Sequence, residues 1–297
     1  MLSAEENELA CRVGPGTPMG ELMRRHWLPA VMSSELVADG EPVRLLLLGE
    51  KLIAFRDTNG KVGIMDHECP HRLASLFYGR NEEGGIRCIY HGWKFDTEGN
   101  CLDMANVPPH QDFKAQVKAK AYQAVERGGL VWAYMGPGKA PGLPAIPANL
   151  LPEDEVAFHC AMRECNWLQA LEGGIDTSHA NFLHGGMNGK LGLNKQPKES
   201  PDDPAYYNTT TYGWTEYTFE FEGSETPWGS MFGGYRPVDE KRDYWRLAQF
   251  IFPFWTIPPT ASIDRHFSLN AWVPMDDGHT MVFRLGRKGG LRAGSMG

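Results

Sequence analysis

The spacing of two cysteines and two histidines restricts the possible folds of this chain of 297 residues more than any other feature. Cys69 and His71 form a C-x-H pair, and after sixteen further residues Cys88 and His91 form a C-x-x-H pair. Two thiolates and two imidazoles are a common tetrahedral zinc set, although zinc fingers usually place the cysteines together and the histidines together. The alternation also suits a two-iron cluster in which one iron binds both thiolates and the other both imidazoles. Four buried residues without a metal are the third interpretation.

Short apolar runs around these pairs predict β-strands. Such runs, separated by turn residues, occur at 43–48, 52–56, 62–65, 86–90, 121–126 and 130–135. Asn59-Gly60 predicts a hairpin turn of the primed type between two of them. Residues 40–136 are therefore expected to form a small antiparallel β domain.

The residues that flank the four candidate ligands resemble a known signature. Cys69-Pro70-His71-Arg72 and Cys88-Ile89-Tyr90-His91-Gly92-Trp93 are similar to the Rieske [2Fe-2S] motif of aromatic-ring-hydroxylating oxygenases. In that family both ligand pairs lie at the tips of hairpin loops, which agrees with the predicted strands. Neither loop carries the extra cysteine found in the Rieske proteins of respiratory complexes, so the lower-potential oxygenase type is favoured. The resemblance implies that Cys69, His71, Cys88 and His91 bind a [2Fe-2S] cluster.

A second group of possible metal ligands follows further along the chain. Asp176, His179 and His184 form a D-x2-H-x4-H pattern that begins within 166–183, a segment predicted to be helical, and ends one residue after it. On a helix Asp176 and His179 lie one turn apart, so the carboxylate can orient the imidazole. His179 and His184 are about 140° apart around a regular helix, so both reach one metal only if the helix ends or distorts, and Gly185-Gly186 offers a stop. From spacing alone, two core histidines are an equally good interpretation.

The residues around this second group also carry the resemblance. The stretch from Cys165-Asn166-Trp167 through Leu171-Glu172-Gly173-Gly174-Ile175-Asp176 to Phe182-Leu183-His184 closely resembles the mononuclear iron site of Rieske oxygenases, particularly the phthalate 4,5-dioxygenase-like branch. It implies that His179 and His184 are two legs of a 2-His-1-carboxylate triad that holds Fe(II) and leaves positions open for O2. It also implies that Asp176 bridges His179 to His91 of a neighbouring subunit. Because that bridge requires a head-to-tail assembly, a homotrimer or a stacked hexamer is expected.

The resemblance runs from Met19 to about Met281 and implies four regions. Residues 1–39 form an N-terminal segment that packs on the catalytic domain, and 40–136 form the Rieske domain. Five prolines and two glycines mark 137–152 as a linker, and 153–297 form an incomplete catalytic domain with strands expected at 206–222, 244–252 and 268–273. The fold class is α+β: an antiparallel β Rieske domain, then a helix-grip-type catalytic domain that combines an antiparallel sheet with helices.

The resemblance also implies a reaction and its partners. The family joins O2 to an aromatic substrate with electrons from NADH. Gly14-Pro15-Gly16 lacks the strand and third glycine of a dinucleotide-binding motif, so a separate flavin and iron-sulfur reductase is expected. The resemblance to this branch implies that the substrate is an aromatic carboxylate. It is either a phthalate-like ring, which would be dihydroxylated, or a methoxylated acid, which would be O-demethylated. Arg246, and after it Arg236, are the candidate carboxylate partners; a solvated strand face or an ion pair explains Arg246 equally well.

The third ligand of the iron is not found in the sequence. In the family this aspartate lies on a late helix well over a hundred residues after the second histidine, whereas 113 residues follow His184. Asp276 and Asp277 lie in a segment that resembles a strand-connecting loop, and neither is assigned to iron. Residues 283–297 show no period of a helix or strand, so the chain is expected to be truncated near Phe283. The first function is the catalytic α subunit of a Rieske oxygenase, complete or truncated. The alternative is a Rieske electron carrier or an inert fragment, since two histidines alone would hold Fe(II) weakly.

Composition limits the remaining function classes. The chain has 29 Lys and Arg against 37 Asp and Glu, a formal charge of −8, which argues against a general nucleic-acid binder. No run approaches the ~18 consecutive apolar residues of a membrane helix, and the acidic N-terminus resembles neither a signal nor a transit peptide. A cytoplasmic protein without nucleic-acid or membrane partners is therefore expected.

Overall fold

The computed structural model describes residues 2–179, 182–183, 218–259 and 268–288. His184 lies outside these residues, so its predicted role as an iron ligand stays a prediction. Most of the strand predicted at 206–222 also lies outside them.

The described residues form four helices and two groups of strands. Helices α1 to α4 span Ala4–Cys11, Pro18–Arg24, Pro147–Leu150 and Trp167–Ile175. Strands β1 to β10 span Leu28–Met32, Val43–Leu47, Glu50–Arg56, Val62–Asp66, Arg80–Glu82, Gly85–Arg87, Trp93–Phe95, Cys101–Met104, Ala121–Arg127 and Leu130–Tyr134. Strands β11 to β17 span Val156–Arg163, Glu220–Thr226, Gly229–Asp239, Arg242–Ile251, Trp255–Ile257, Ser268–Pro274 and Thr280–Arg287. Short 3-10 turns cover Ser33–Glu35, Leu76–Tyr78, Pro109–Gln111, Lys114–Gln116 and Glu153–Glu155. Among the helices described here, none is long and apolar enough to span a bilayer.

Two antiparallel sheets make up the β domain predicted in the first half of the chain. The larger sheet has the strand order β1-β10-β9-β4-β3-β2, and the smaller is a meander in the order β5-β6-β7-β8. A shared core includes Phe55 and Met65 from the larger sheet and Ile86 and Phe95 from the smaller one, all fully buried. The prediction of an antiparallel β domain is confirmed, and this core is the support on which the candidate ligand loops stand.

Two local predictions in this domain are wrong. The chain between β3 and β4 is not a two-residue primed turn, because the loop has five residues, 57–61, organised by Asp57, whose Oδ1 accepts the N–H groups of Asn59 and Lys61. The strand predicted at 86–90 ends at Arg87, since the chain then turns sharply into the second ligand loop.

A third sheet contains the later strands. Its order is β11-β17-β16-β15-β14-β13-β12, and its longest described pairings, β12 with β13 and β13 with β14, are antiparallel. This sheet and helix α4 confirm the predicted α+β class. The chain divides into two compact units, Met1–Leu168 with Val273–Phe283, and Gln169–Trp272 with Arg284–Gly297. The domain boundaries expected from the sequence stay a prediction.

Two predictions in the later chain need correction. The helix predicted over 166–183 is interrupted after Ile175, where two glycines in the last turn of α4 weaken it, and the chain is helical again at His179 and at 182–183. Residues from Phe283 onward were expected to form no strand, whereas β17 continues to Arg287 with mostly buried side chains. The strand begins at Thr280, so only its last five residues lie in the segment from Phe283 onward, and five residues are too few to show a period.

Candidate metal centres

The first ligand pair lies on a loop that backbone hydrogen bonds close. The Cys69 N–H donates to the Ala74 carbonyl at 2.9 Å, and the Leu73 N–H donates to the Cys69 carbonyl at 2.9 Å. Leu73 has a φ of 57°, a left-handed conformation that is uncommon for leucine and reverses the chain. Cys69 and His71 are thereby held on one tight turn.

The second ligand pair lies in the turn between β6 and β7. The Cys88 N–H donates to the Trp93 carbonyl at 2.8 Å, and the Gly92 N–H donates to the Cys88 carbonyl at 3.0 Å. Gly92 has a φ of +76°, and a Cβ there would lie 2.8 Å from the Ala105 side chain, so the turn requires glycine. Arg87 fixes the same turn, because its Nη1 donates to the Gly92 carbonyl at 2.7 Å.

The two thiols of these loops are buried neighbours. Cys69 is 1% exposed and Cys88 is 3% exposed, and their side chains lie within hydrogen-bonding reach of each other. Burial and the adjacent Cys88 raise the pKa of the Cys69 thiol to about 11, whereas the backbone N–H groups of His71 and Arg72 act in the opposite direction. Those N–H groups would stabilise a thiolate once a metal takes the place of the proton.

The two imidazoles are likewise neighbours. The ring centroids of His71 and His91 lie 4.7 Å apart. Nδ1 of His91 is buried and has no hydrogen-bond partner within the described part of the chain, an arrangement that is costly unless a ligand satisfies the nitrogen. Partial burial and the neighbouring His91 and Arg72 lower the pKa of His71, which favours the neutral form that binds metals.

The donor set thus divides into a sulfur pair and a nitrogen pair. A single tetrahedral zinc ion would instead have all four side chains converge on one point. Pairing of Cys69 with Cys88, and of His71 with His91, matches a two-iron cluster in which one iron takes both thiolates and the other both imidazoles. The residues present therefore fit a [2Fe-2S] cluster of the Rieske kind.

The second candidate centre begins where α4 ends. The Asp176 N–H donates to the Glu172 carbonyl at 3.0 Å and closes the last helical turn. Asp176 Oδ1 then accepts the Ser178 N–H at 2.7 Å, while Oδ2 lies 3.2 Å from Nδ1 of His179. The carboxylate therefore lies within ion-pair distance of the imidazole, as the spacing predicts, although α4 does not continue between them. His184, the other predicted ligand, lies outside the described residues.

Arg236 and Arg246 lie on one face of the third sheet. In the register of β13 and β14, Arg246 is opposite Gly234 and Arg236 is opposite Tyr244, so the two arginines are diagonal neighbours. Arg236 is 5% exposed and Arg246 is 4% exposed. The Arg236 guanidinium lies 4.5 Å from the centre of the Phe219 ring. A solvated strand face is therefore the wrong interpretation of Arg246.

The charges around Arg246 connect this face to the second candidate centre. Burial lowers the pKa of the Arg246 guanidinium, and the nearby charge of Arg236 acts in the same direction. The charges of Tyr244 and Asp176 act in the opposite direction. Asp176 is thus one of the charged groups that influence the pKa of Arg246.

Asp276 and Asp277 are engaged elsewhere in the protein. Both lie in the loop between β16 and β17, as the sequence predicts. Asp277 pairs with Arg12 at 2.8 Å and accepts the Val13 N–H at 2.9 Å. Asp276 Oδ1 lies 2.9 Å from Nδ1 of His279. These contacts give both carboxylates a structural role and agree with leaving them unassigned to iron.

Sequence reasoning missed the residues that hold the ligand loops in place. Arg87 precedes Cys88 directly and forms ion pairs with Glu82 at 2.6 Å and Asp103 at 2.7 Å. Asn106 accepts the indole N–H of Trp93 at 2.8 Å. The position of Arg87 beside a ligand was a usable signal, whereas nothing in the sequence marks Asn106.

Known proteins resemble this chain in sequence. A family model for the Rieske [2Fe-2S] domain matches residues 26–122. The chain is 50% identical over 285 residues to the 3-chlorobenzoate-3,4-dioxygenase oxygenase subunit of Comamonas testosteroni, covering 95% of this chain and 63% of that protein. It is 38% identical over 294 residues to the phthalate 4,5-dioxygenase oxygenase subunit of Pseudomonas putida, covering 95% of this chain and 64% of that protein. The chain thus spans just under two-thirds of the length of these relatives.

A solved structure shows the same fold. A chain in the structure of the reduced complex between oxygenase and ferredoxin in carbazole 1,9a-dioxygenase matches with a TM-score of 0.64 and 21% identity. The match covers 91% of this chain and 72% of that one. At this identity the likeness concerns the fold alone.

Proposed function

We propose that this chain is the oxygenase component of a system that hydroxylates an aromatic carboxylate, because residues 26–122 match the Rieske [2Fe-2S] domain and 95% of the chain is similar to the oxygenase subunits of two dioxygenases. The system uses O2 and electrons that a reductase takes from NADH. The observation that carries the proposal is the pairing of Cys69 with Cys88 and of His71 with His91, and the contact between Asp176 and His179 supports it. When bound, the cluster supplies single electrons and the mononuclear Fe(II) site activates O2.

Each ligand residue has a defined role in this proposal. Cys69 and Cys88 bind one iron of the cluster, and His71 and His91 bind the other. His179 and His184 hold the mononuclear Fe(II). Asp176 would orient His179 through Nδ1, which lies 3.2 Å from its Oδ2, and it would connect that site to His91 of a neighbouring subunit. The bridge between subunits makes a head-to-tail homotrimer, or a stacked hexamer, the working assembly.

The paired arginines support an aromatic carboxylate as the substrate. Arg246 and Arg236 present two guanidinium groups on one buried sheet face, and a guanidinium binds a carboxylate with two parallel hydrogen bonds. A phthalate-like ring with adjacent carboxylates suits two such groups, whereas a benzoate-like ring suits one. The names of the two relatives refer to 3-chlorobenzoate and phthalate, which are both aromatic carboxylates.

The proposal also assigns the partners of the reaction. A separate reductase with flavin and an iron-sulfur centre delivers the electrons, and the whole system works in the cytoplasm. The same arginines suit a methoxylated aromatic acid, for which the outcome is O-demethylation rather than dihydroxylation.

Metal analysis of the iron-loaded protein tests the two centres together. We expect about three irons per chain, two with the visible absorption of the cluster and one at the second site. His179→Ala should remove one iron and leave the visible spectrum unchanged. His279→Ala is the matched control, because His279 also pairs with an aspartate three residues earlier, at 2.9 Å. Two irons in the unaltered protein would favour the electron carrier, and zinc without visible absorption would contradict both functions.

A single-turnover experiment tests the reaction itself. Anaerobically reduced protein is given O2 with phthalate isomers, benzoates and methoxybenzoates in separate reactions. A diol supports dihydroxylation, and a phenol with formaldehyde supports O-demethylation. If three irons are present and no carboxylate in the panel is oxidised, the proposed substrate class is wrong.

A further inference from the structure

The indole of Trp93 lies flat against the imidazole of His71. The two ring centroids are 4.2 Å apart and the ring planes differ by 5°. The contacts of His91 with His71 and with Tyr90 are tilted by 58° and 40°. His71 is thus the ligand whose ring plane is matched by a parallel aromatic surface, and a parallel stack leaves the imidazole little freedom to rotate.

Trp93 is itself held on several sides. It begins β7 and is 6% exposed. Its Nε1–H donates to Oδ1 of Asn106 at 2.8 Å, and the Phe113 ring meets it edge-on with centroids 5.8 Å apart. An aromatic ring fixed by a hydrogen bond and by an edge contact is a rigid surface for its neighbour.

The same residue connects the two ligand loops. The backbone carbonyl of Trp93 accepts the N–H of Cys88 in the second loop at 2.8 Å, while its side chain covers His71 of the first loop. Through one residue, a thiolate ligand and an imidazole ligand are therefore held in register. Groups that contact a metal ligand commonly fix its orientation and tune the metal.

We propose that Trp93 is a positioning residue for the cluster: it fixes the plane of His71 and lowers the reduction potential. The face of an indole carries negative charge density and attracts positive charge. The imidazole ligand carries more positive charge density when the cluster is oxidised, so the stacked indole stabilises the oxidised state relative to the reduced one. Loss of the indole should raise the potential. The inference depends on the cluster and not on the oxygenase reaction.

Redox titration of full-length variants tests this role. The solution potential is set to the midpoint reduction potential of the cluster in the unaltered protein. At that potential the ratio of reduced to oxidised cluster should be about three-fold higher in Trp93→Leu than in the unaltered protein. Trp93→Phe, which retains a ring that can stack, should change the ratio less. Trp132→Leu is the matched control, since Trp132 is also buried and its indole N–H donates to the Arg127 carbonyl at 3.0 Å, but it lies in the larger sheet. It should leave the ratio unchanged.

Electron paramagnetic resonance of the reduced cluster tests the positioning separately. Asn106→Leu removes the acceptor of the indole N–H and leaves the ring present, so the resonance lines should broaden as His71 takes several orientations. Asn106→Asp keeps an acceptor and should restore narrow lines. If Trp93→Leu does not retain the cluster, Trp93→Phe and Asn106→Leu decide the question.

Two outcomes would overturn the proposal. One is an unchanged potential and unchanged line widths in every Trp93 and Asn106 variant that retains the cluster. The other is an equal shift in Trp93→Leu and Trp132→Leu, which would show a general effect of core loosening. Neither measurement needs turnover, so inactivity towards aromatic acids would leave this test intact.

Discussion

Oδ2 of Asp176 lies 3.2 Å from Nδ1 of His179, directly after the end of α4. The other carboxylate oxygen accepts the Ser178 N–H at 2.7 Å, so the side chain is fixed to the backbone at one oxygen and faces the imidazole with the other. The orientation of His179 therefore depends on a turn that the aspartate itself stabilises.

Replacement of Asp176 by Asn should impair electron delivery to the second centre. The amide keeps the size of the side chain but removes the negative charge that holds the imidazole. Loss of such a partner typically costs about 10- to 100-fold in metal affinity or activity. We expect a fall of that size in the rate at which O2 and substrate reoxidise the reduced cluster, followed by its visible absorption. Asp276→Asn, which alters the comparable Asp276 and His279 pair, should react at the normal rate; equal rates in both variants would contradict the bridging role.

Replacement of Arg246 should weaken the binding of aromatic carboxylates. Removing one partner of a buried, hydrogen-bonded charge pair costs at least ~2 kcal/mol, so KM for the acid should rise at least ~30-fold in Arg246→Ala. Arg246→Lys should recover part of the loss, because lysine keeps the charge without the planar fork. Arg242→Ala, at an exposed position on the same strand, is the control. An increase in KM that is equal for the carboxylate and for its neutral amide would remove Arg246 from the substrate site.

Replacement of Cys69 should abolish the cluster, whereas replacement of a neighbouring cysteine should not. Cys101 is buried in the same core, and its Sγ lies 3.5 Å from the Asp103 carbonyl. Both Cys69→Ser and Cys101→Ser remove a buried thiol, so they disturb packing to a similar extent. We expect loss of visible absorption and of acid-labile sulfide in Cys69→Ser alone. Loss of the cluster in both variants would mean that disturbed packing of the core, and not the removal of an iron ligand, causes the loss.

Features that depend on the spacing of neighbouring residues were predicted from the sequence, whereas features that depend on the pairing register of distant strands were missed. The two tight turns that carry the four candidate ligands follow from two short motifs, since a two-residue or three-residue separation holds both side chains of a pair on one turn. Strand β13, which carries Arg236, was not predicted because Gly233, Gly234 and Pro237 weaken its strand pattern. Those glycines have a packing reason: a Cβ on Gly233 would lie 2.8 Å from the side chain of Leu247 on β14.

The end of α4 was predictable in principle. Gly173 and Gly174 occupy its last turn, and glycine near a helix end favours termination. A Cβ on Gly174 would lie 2.4 Å from the Trp272 ring, so the close approach of a strand also selects glycine there. The pairing of Trp93 with Asn106 was not predictable, because it depends on how a loop after β8 folds back onto β7.

Glu50 should contribute strongly to stability at neutral pH. Its Oε1 lies 2.7 Å from Nη1 of Arg24, and the two side chains are 12% and 6% exposed. Arg24 also donates to the Leu48 carbonyl at 3.0 Å. Glu50→Gln leaves a buried guanidinium without its counter-charge, which costs about 3 kcal/mol of unfolding free energy. Glu21→Gln is the control, because the side chain of Glu21 is 54% exposed and lies 3.7 Å from Arg24, and such exposed pairs contribute less than ~1 kcal/mol.

The pH dependence of the same variants distinguishes an ionic effect from a packing effect. Burial raises the pKa of the Glu50 carboxyl, but the hydrogen bonds from Lys120 and Tyr122 and the charge of Arg24 outweigh it, so the net pKa is lowered from 4.5. A carboxyl with a lowered folded pKa stabilises the protein above its unfolded pKa, and that stability is lost as the pH falls below 4.5 through the folded value. Urea unfolding at neutral pH and at successively lower pH should show the unaltered protein approaching Glu50→Gln in stability. A difference between the two that persists at low pH would mean that packing, and not charge, accounts for the loss.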